Sequence, residues 1–262
     1  MNDGALQCNL SYKIAVSNGN GGPSRDPPRF LLTLGAAIGW CCGMSEELFA
    51  TAAEQQLSKG LIDGRIPYLT IDGIFADPSA VRAAALTLPY SSGTAHYPGR
   101  VARFPAGDSS LTRFLRQIIG IVTSEYLPHL PPARNGKSLS RVRGVDTDFA
   151  VTDKHPAELS ANQRAPHIDA VPVFGLVYLN DPPRGGTLFF RPRGHAAGPD
   201  FRPGYPRSDE LLEVCGHIEG RFNRLAVYPG FVLHSGEIAG EWIENDDRFT
   251  YPRLTQRIMF FF

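Results

Sequence analysis

The chain has 262 residues, and its 26 Lys and Arg side chains balance its 26 Asp and Glu side chains. This zero net charge creates no overall field toward nucleic acid or an anionic membrane, so we expect neither as a partner. The length suffices for a substantial core and fits one β-rich domain with helical additions. The four cysteines form no Cys-x-x-Cys pair and no secreted disulfide pattern, which predicts a reducing, cytoplasmic location.

The N-terminal segment, residues 1–43, is predicted to be a flexible extension or to precede the true start of translation at Met44. Residues 17–28 are rich in Gly, Asn, Ser and Pro, as flexible segments are. The apolar stretch over residues 30–44 is shorter than the roughly 20 residues that a bilayer-spanning helix needs. Residues 41–44 also make a poor signal-peptide cleavage site. We therefore expect one domain over residues 44–262.

Three helices and one strand are predicted ahead of residue 127. Ser45 can cap a first helix, whose apolar residues recur at helical spacing until Gly60 ends it. A strand over residues 68–74 follows. An Asp-Pro pair then begins a second helix over residues 77–88, because Asp is a good N-cap and Pro fits the first turn. The third helix covers residues 110–126 and is stopped by prolines.

Beyond residue 145 the chain consists of short β-rich runs separated by Pro and Gly clusters, which is typical of a sandwich or barrel. An apolar strand over residues 174–181 runs into a turn, and a run over 185–190 begins with two glycines. Residues 228–234 combine a Pro-Gly turn with another strand, and an aromatic strand covers 253–262. Helices therefore come first and strands last, which predicts an α+β protein.

Two histidines and one aspartate have the spacing of a metal site. Side chains two apart on a strand share a face, so His167 and Asp169 can both turn inward, and His234 can arrive from a later strand. This 2-His-1-carboxylate set is that of non-haem Fe(II) oxygenases. A His-x-Asp triplet alone arises often by chance, so its context must support it. Cys215 and His217 lack further ligands nearby and are interpreted as ordinary strand residues.

The order of these motifs resembles the 2-oxoglutarate/Fe(II)-dependent oxygenases, in particular their prolyl-4-hydroxylase-like branch. The motifs are His-x-Asp, Tyr-Leu-Asn-Asp, Gly-Gly-Thr, Pro-Gly with a following His, and Arg-x-Thr on the final strand, within residues 145–262. The upstream residues 68–78 and 96–100 look like a little-characterised bacterial subgroup of the same superfamily. The resemblance implies a double-stranded β-helix (jelly-roll) barrel, buttressed by the N-terminal helices, with the metal in its mouth.

The resemblance also implies Fe(II), 2-oxoglutarate and O2, with hydroxylation or a related oxidation of a C–H bond. The substrate would be a small molecule or an amino-acid-derived compound. Residues 44–262 would then form one oxygenase domain. Two alternatives stay open: a cupin-like metal enzyme with the same ligands but no 2-oxoglutarate, and a non-catalytic jelly-roll binding module.

Arg253 and Thr255 are predicted to bind the far carboxylate of 2-oxoglutarate. A guanidinium can hold a carboxylate with two parallel hydrogen bonds, and a hydroxyl two residues along a strand shares its face. The pair also matches the Arg-x-Ser/Thr motif of the resembled family. Arg257 lies on the same face and is the alternative. Tyr178 and Thr187 are weaker candidates for further hydrogen bonds to the cosubstrate.

Two segments are candidates for contact with the substrate. The loop over residues 96–100 can reach over the mouth and bring Arg100 or Arg103 to an acidic group, although a solvated loop is the favoured interpretation. The stretch over residues 191–207, dense in Arg, Pro and Gly, is a candidate lid. Neither segment identifies a substrate.

Overall fold

The computed structural model describes residues 15–16, 30–31, 47–92, 97–131, 139–197, 203–206, 211–238 and 253–262. Most of the predicted N-terminal extension, the capping residue Ser45 and three of the four cysteines therefore lie outside the described residues. The strands, in chain order, are β1 (Ala15–Val16), β2 (Phe30–Leu31), β3 (Gln56–Ile62), β4 (Ile66–Asp72), β5 (Ser91–Ser92), β6 (Arg100–Ala102), β7 (Gly144–Thr152), β8 (Val173–Tyr178), β9 (Gly186–Pro192), β10 (Leu212–Glu219), β11 (Arg224–Pro229), β12 (His234–Gly236) and β13 (Arg253–Phe261).

Two antiparallel sheets position the rest of the molecule. The large sheet has eight strands in the order β3-β4-β11-β8-β13-β7-β6-β5, and the small sheet has three in the order β10-β9-β12. β1 and β2 form a separate pair. The architecture is largely antiparallel β with three described helices, so it is richer in strands than the α+β class that the sequence predicted. Among the described strands, however, no ladder joins the two larger sheets, so the closed double-stranded β-helix stays a prediction.

Three helices are described, and local capping explains their boundaries. Helix α1 (Pro78–Leu86) begins after Asp77, whose carboxylate accepts from the Ala80 N–H at 2.9 Å. Helix α2 (Ser109–Ile121) continues through a π-helical turn, Val122–Tyr126, and a short 3-10 turn, Leu127–His129. The helices predicted over residues 77–88 and 110–126 are thus confirmed. The short helix α3 (Ala161–Arg164) carries a capping box, in which Ser160 and Gln163 bond reciprocally.

The first predicted helix is wrong over all of its described residues. Residues 47–49 form a turn, and Thr51 makes an isolated bridge with Phe75. Residues 56–62 form β3, which pairs with β4 along its whole length. Asp63 and Gly64 have φ angles of 51° and 64°, and the Arg65 N–H donates to the Ile62 carbonyl at 3.0 Å. An Asp-Gly pair with two positive φ angles is the preferred hairpin turn. This turn and its seven-residue ladder outweigh the helical spacing of the apolar residues.

The large sheet separates a helix-packed core from the face that carries the candidate site. On β13, Leu254, Ile258 and Phe260 belong to the core that includes α1 and α2, whereas Arg253 and Arg257 line a cavity on the opposite face. This alternation is that of a strand buried on both faces. Burial of each large apolar side chain contributes about 1.5–3 kcal/mol, which fixes the register of the strand. Within the described residues, no helix has the length and apolar composition to cross a bilayer.

Candidate metal centre and adjoining cavity

His167, Asp169 and His234 converge at one point. One potential ligand atom from each residue lies within 4.8 Å of the other two. The His234 Nε2 atom is 3.1 Å from Asp169 Oδ2, and the His167 Nε2 atom is 3.6 Å from Asp169 Oδ1. Among the described residues, no other group of three or more His, Cys, Asp or Glu side chains has this geometry.

Backbone hydrogen bonds hold the three ligands in place. The His167 N–H donates to the His234 carbonyl at 2.8 Å, and the His234 N–H donates back at 3.0 Å. The Asp169 N–H donates to the Gly230 carbonyl at 2.9 Å. The segment with His167 and Asp169 is therefore held by isolated bridges, not by the regular strand that the spacing predicts. The distant His234 reaches it because a turn at Gly230 returns the chain from β11 to β12.

Gly230 permits the close approach that positions Asp169. A Cβ atom at residue 230 would lie 2.2 Å from the Val171 carbonyl oxygen and 3.1 Å from the Asp169 Cβ atom. No side chain fits there unless the backbone that carries Asp169 moves. The turn glycine is thus part of the support for the ligand set.

Replacing Gly230 with alanine is expected to lower the affinity for Fe(II) by about 10- to 100-fold, the usual effect of disturbing an outer support of a metal ligand. Calorimetric titration of the metal-free protein with Fe(II) under nitrogen measures this change. Gly120→Ala is the matched control, since a Cβ atom there meets nothing within 4 Å. Equal affinities for the Gly230→Ala variant and the wild type would contradict this role of the turn.

The hydrogen-bonding pattern at the three ligands fits a bound cation. The Nδ1 atom of His234 lies 2.8 Å from the Val232 carbonyl, which can only accept, so Nδ1 carries the hydrogen. The Nε2 atom then directs a lone pair at Asp169 Oδ2, which is buried and accepts no hydrogen bond. Two lone pairs at 3.1 Å repel each other unless a cation or a proton lies between them. Neutral imidazoles and a carboxylate are suitable donors for a divalent metal.

Without a metal, the charges of the site act on one another. Burial lowers the pKa of His234, but the adjacent Asp169 carboxylate outweighs it, so the pKa of His234 is raised overall. Burial raises the pKa of Asp169, yet the two imidazoles hold it below its usual value. Burial and the neighbouring His234 both lower the pKa of His167. The site thus keeps Asp169 ionised, as a ligand must be.

A cavity of about 370 Å³ adjoins the three ligands and brings the predicted cosubstrate residues together. Thr187, Arg253, Thr255 and Arg257 all line it. The Tyr178 hydroxyl lies 2.7 Å from the Thr187 hydroxyl, with which it shares a buried hydrogen bond. Burial raises the pKa of Tyr178, so this phenol stays protonated. The structure therefore gathers these residues, and their roles stay predictions.

Arg253 is a buried cation without a counterion among the described residues. Its side chain donates to the Gly186 carbonyl at 3.2 Å, while its buried Nε–H has no acceptor. The residue is only 7% exposed. Buried charges are normally paired, because the desolvation of an unpaired ion is costly. The surroundings of Arg253 are therefore those of a side chain that receives an anion from the cavity.

Arg257 differs from Arg253 in having its own counterion. Its Nε and Nη2 atoms donate to the two Asp148 carboxylate oxygens at 2.6 and 2.7 Å, and its guanidinium lies 4.9 Å from the centre of the Tyr97 ring. Burial lowers the pKa of Arg257, but Asp148 outweighs it and raises the pKa overall. This contrast favours Arg253 over Arg257 as the partner of a bound dicarboxylate.

The loop over residues 97–100 lies at the cavity, which corrects its interpretation as a solvated loop. Tyr97 and Pro98 line the cavity, and the Tyr97 carbonyl accepts from Gln163 Nε2 at 3.0 Å. The arginines do not take part. Arg100 pairs with Asp153, and Arg103 pairs with Asp146. His96 lies outside the described residues.

Part of the candidate lid also reaches the cavity. Gly204 exchanges two backbone hydrogen bonds with Ile168, of 2.8 and 3.0 Å. Tyr205 lines the cavity, and its ring centre is 6.1 Å from that of His167. Tyr97, Asn162 and Tyr205 together define what we call the mouth. Residues 198–202 and 207 of the stretch lie outside the described residues.

The sequence analysis missed Asp148, and it included Tyr97 and Tyr205 only as members of the loop over residues 96–100 and the stretch over 191–207, without a role for either. Asp148 carried a usable signal, since a carboxylate that precedes the apolar residues Phe149–Val151 in a buried strand needs a partner. The two tyrosines carried none, because their positions depend on how the loops fold over the sheet. His217 bonds to Glu237 at 3.0 Å and lies on β10 with Cys215, as expected for strand residues outside the site.

The chain matches the model of one protein family over residues 54–198 and 195–260, and this family is described as one of unknown function, DUF6445. No protein of curated function matches it. Similar solved structures include a Trichoplax adhaerens prolyl hydroxylase in complex with a hypoxia inducible factor peptide fragment. It has 13% identity and a TM-score of 0.44, covering 74% of this chain and 83% of that one.

Two further solved structures show comparable similarity. A Pseudomonas putida prolyl-4-hydroxylase has 15% identity and a TM-score of 0.36, covering 74% and 86% of the two chains. The non-heme alpha ketoglutarate dependent epimerase SnoN from nogalamycin biosynthesis has 16% identity and a TM-score of 0.39, covering 75% and 78%. Similarity at this level leaves the function to be argued from the site. By its family match, the chain belongs to the DUF6445 family of unknown function.

Proposed function

We propose that this protein is an Fe(II)- and 2-oxoglutarate-dependent dioxygenase that hydroxylates, or otherwise oxidises, a C–H bond of a small molecule or amino-acid-derived substrate. One observation carries the proposal. A single cavity contains both a set of two imidazoles and a carboxylate with the geometry of metal ligands and a buried arginine without a counterion among the described residues. A molecule that binds a metal at one end and offers a carboxylate at the other would occupy the metal site and also provide the counterion for the arginine.

His167, Asp169 and His234 would hold the metal on one face and leave its other face open, as in non-haem Fe(II) oxygenases. Iron bound there would supply the oxidation of a C–H bond by O2, with 2-oxoglutarate converted to succinate and CO2. Asp169 is kept ionised by its neighbours, and His234 is kept in the tautomer that offers Nε2.

Arg253 would orient 2-oxoglutarate by receiving its distal carboxylate. Thr255 follows two residues later on β13 and lines the same cavity. Tyr178 lies opposite Thr255 in the β8–β13 ladder, and Thr187 bonds to its hydroxyl. Thr187 and Thr255 line the cavity and can turn a hydroxyl donor toward the same carboxylate, whereas Tyr178 does not line it and would act through its hydrogen bond to Thr187. Phe174 and Leu176 line the cavity wall and exclude water from part of it.

The two alternatives fit this cavity less well. A cupin-like metal enzyme that does not use 2-oxoglutarate needs the three ligands but not a buried arginine without a counterion. A non-catalytic binding module needs neither group. The unsatisfied Nε–H of Arg253 therefore favours the 2-oxoglutarate-dependent oxygenase over both alternatives.

Succinate formation tests the proposal. Full-length protein loaded with Fe(II) is expected to form succinate from 2-oxoglutarate in air, slowly without a primary substrate, and to stop when iron is omitted. Calorimetry under nitrogen measures 2-oxoglutarate binding independently of turnover. Metal binding without 2-oxoglutarate binding would favour the cupin-like alternative, and absence of both would favour the binding module.

A chain that begins at Met44 is expected to bind 2-oxoglutarate and form succinate at a rate close to that of the full chain. The predicted reason is that residues 1–43 contain no candidate metal ligand of the proposed set, and that their Gly- and Pro-rich stretch resembles a flexible segment. Iron content and succinate formation of both forms provide the measurement. Insolubility or loss of iron in the shorter form would instead place part of residues 1–43 in the core.

A further inference from the structure

We infer that Arg257 forms an anion-binding subsite for the primary substrate, and that this substrate is a small organic acid whose carboxylate contacts the guanidinium. The inference rests on the proposed function, because it assigns a substrate class to the same cavity. In the proposed function, Arg257 binds neither the metal nor 2-oxoglutarate.

Arg257 has hydrogen-bond donors that its ion pair with Asp148 does not use. A guanidinium carries five N–H bonds, and the pair with Asp148 uses one on Nε and one on Nη2. Among the described residues, no other acceptor bonds to this side chain. The side chain lines the cavity and is 23% exposed, so it is neither sealed in the core nor spread on the surface. Three N–H bonds are thus available to a ligand.

The guanidinium is held in one orientation before any ligand arrives. Asp148 lies directly opposite Arg257 in the β7–β13 ladder, and its own side chain is 7% exposed. The Tyr97 ring packs at 4.9 Å from the guanidinium, and Gln163 holds the Tyr97 carbonyl. A fixed donor loses little conformational entropy on binding, so the arrangement favours recognition of a planar carboxylate.

The position of Arg257 in the cavity distinguishes it from the cosubstrate residues. In the β8–β13 ladder, Arg257 lies opposite Leu176, whereas Thr255 lies opposite Tyr178, nearer to Arg253. Arg253 and Arg257 are four residues apart on one strand, which separates their Cα atoms by roughly 13 Å. Tyr97 connects Arg257 to the mouth. A ligand that contacts Tyr97 at the mouth therefore lies next to Arg257, whereas Arg253 lies farther along the strand.

The neighbouring side chains define the rest of the substrate class. Phe174, Leu176 and Met259 line the cavity beside Arg257 and offer apolar surface. Asp169 is the one acidic residue in the described part of the lining, and it is committed to the metal in the proposed function. After Arg253 has received 2-oxoglutarate, Arg257 is the cationic group left in the described lining. A small acid with an apolar body matches this combination.

A purely structural ion pair needs no access to the cavity, and β7 also contributes to a pair of that kind. Arg103 pairs with Asp146, two residues before Asp148 on β7, and Arg103 does not line the cavity. The Arg257–Asp148 and Arg103–Asp146 pairs therefore have the same chemistry, but only the arginine of the first pair lines the cavity. Arg103 provides the matched control.

The test uses 3-phenylpropanoate and its neutral amide, 3-phenylpropanamide, as probes. Full-length protein is loaded with Fe(II) and saturating 2-oxoglutarate under nitrogen, which keeps the acid away from Arg253 and prevents turnover. Calorimetry then measures the affinity for each probe. The wild type is expected to bind the acid at least about tenfold more tightly than the amide, because hydrogen bonds to a charged group are stronger.

Three variants test whether Arg257 causes the preference for the acid over the amide. Arg257→Lys keeps a charge beside Asp148 and is expected to retain part of the preference, since an ammonium lacks the planar fork. The double variant Asp148→Asn/Arg257→Gln avoids a lone buried carboxylate and is expected to lose the preference. Arg103→Gln is expected to keep it. 2-Oxoglutarate affinity is expected to be unchanged in all three.

Equal binding of acid and amide by the wild type would overturn the inference, and so would a preference that survives the double variant. In either case, tight binding of 2-oxoglutarate leaves the proposed function standing. Failure of the wild type to bind 2-oxoglutarate would overturn the proposed function and this inference with it. The two failures are therefore distinguishable in one set of titrations.

Discussion

The His234→Ala variant is expected to fold and to lose bound Fe(II) together with succinate formation. His234 is 3% exposed, and its ring is held by the Val232 carbonyl with Nε2 directed at Asp169. Removing His234 leaves two of the three metal ligands. We therefore expect the affinity for Fe(II) to fall by more than about 100-fold, which exceeds the loss expected when a residue that only supports a ligand is replaced. Iron content after desalting and calorimetric Fe(II) titration measure this loss, and circular dichroism reports the fold.

His217→Ala is the control for this experiment. His217 lies on β10 and pairs with Glu237 at 3.0 Å, outside the three-ligand cluster. Its replacement is expected to leave iron content and succinate formation close to wild type. Full iron content in a folded His234→Ala protein would show that the metal is bound elsewhere.

The Arg253→Ala variant is expected to bind 2-oxoglutarate about tenfold to a hundredfold more weakly while it retains iron. A hydrogen-bonded contact between charged groups contributes about 1.5–3 kcal/mol, which corresponds to a loss of this size. Arg253→Lys is expected to restore only part of the affinity, because lysine offers a point charge without a fork. The apparent KM for 2-oxoglutarate at saturating iron and calorimetry under nitrogen provide the measurements.

Arg257→Lys is the comparison that decides between the two arginines, since it preserves the charge beside Asp148. It is expected to leave 2-oxoglutarate affinity nearly unchanged. A large loss in Arg257→Lys, with wild-type affinity in Arg253→Ala, would assign the cosubstrate contact to Arg257. The roles of the two arginines proposed above would then have to be exchanged.

Much of the candidate site could be predicted because strand geometry is periodic. Arg253, Thr255 and Arg257 alternate with Leu254 and Ile258, so their common face follows from the two-residue repeat. Sequence could not choose between Arg253 and Arg257. That choice depends on Asp148, which lies opposite Arg257 through a pairing of strands more than 100 residues apart.

The error in the predicted helices has a local origin. Residues 56–62 contain apolar side chains at helical spacing, but the Asp63-Gly64 turn pairs them with β4. Helix α1 was predictable because its cap, Asp77, acts within three residues of the chain, and α2 because prolines follow it; the Asp108 cap of α2 is an equally local signal that was not used. Local signals were therefore sufficient for the helices. The hairpin also had a local signal in its Asp-Gly pair, which the helical spacing outweighed in the prediction. The loop around Tyr97 depended on partners that spacing does not reveal.

The strand order also has a consequence for biosynthesis. β13 follows every other described strand in the chain, yet it lies between β7 and β8 near the middle of the large sheet. Until the ribosome has released residues 253–261, both neighbours expose an unpaired strand edge, which is prone to aggregation. A nonsense mutation shortly before Arg253 would therefore be expected to yield an insoluble polypeptide, as well as one without its cosubstrate contact.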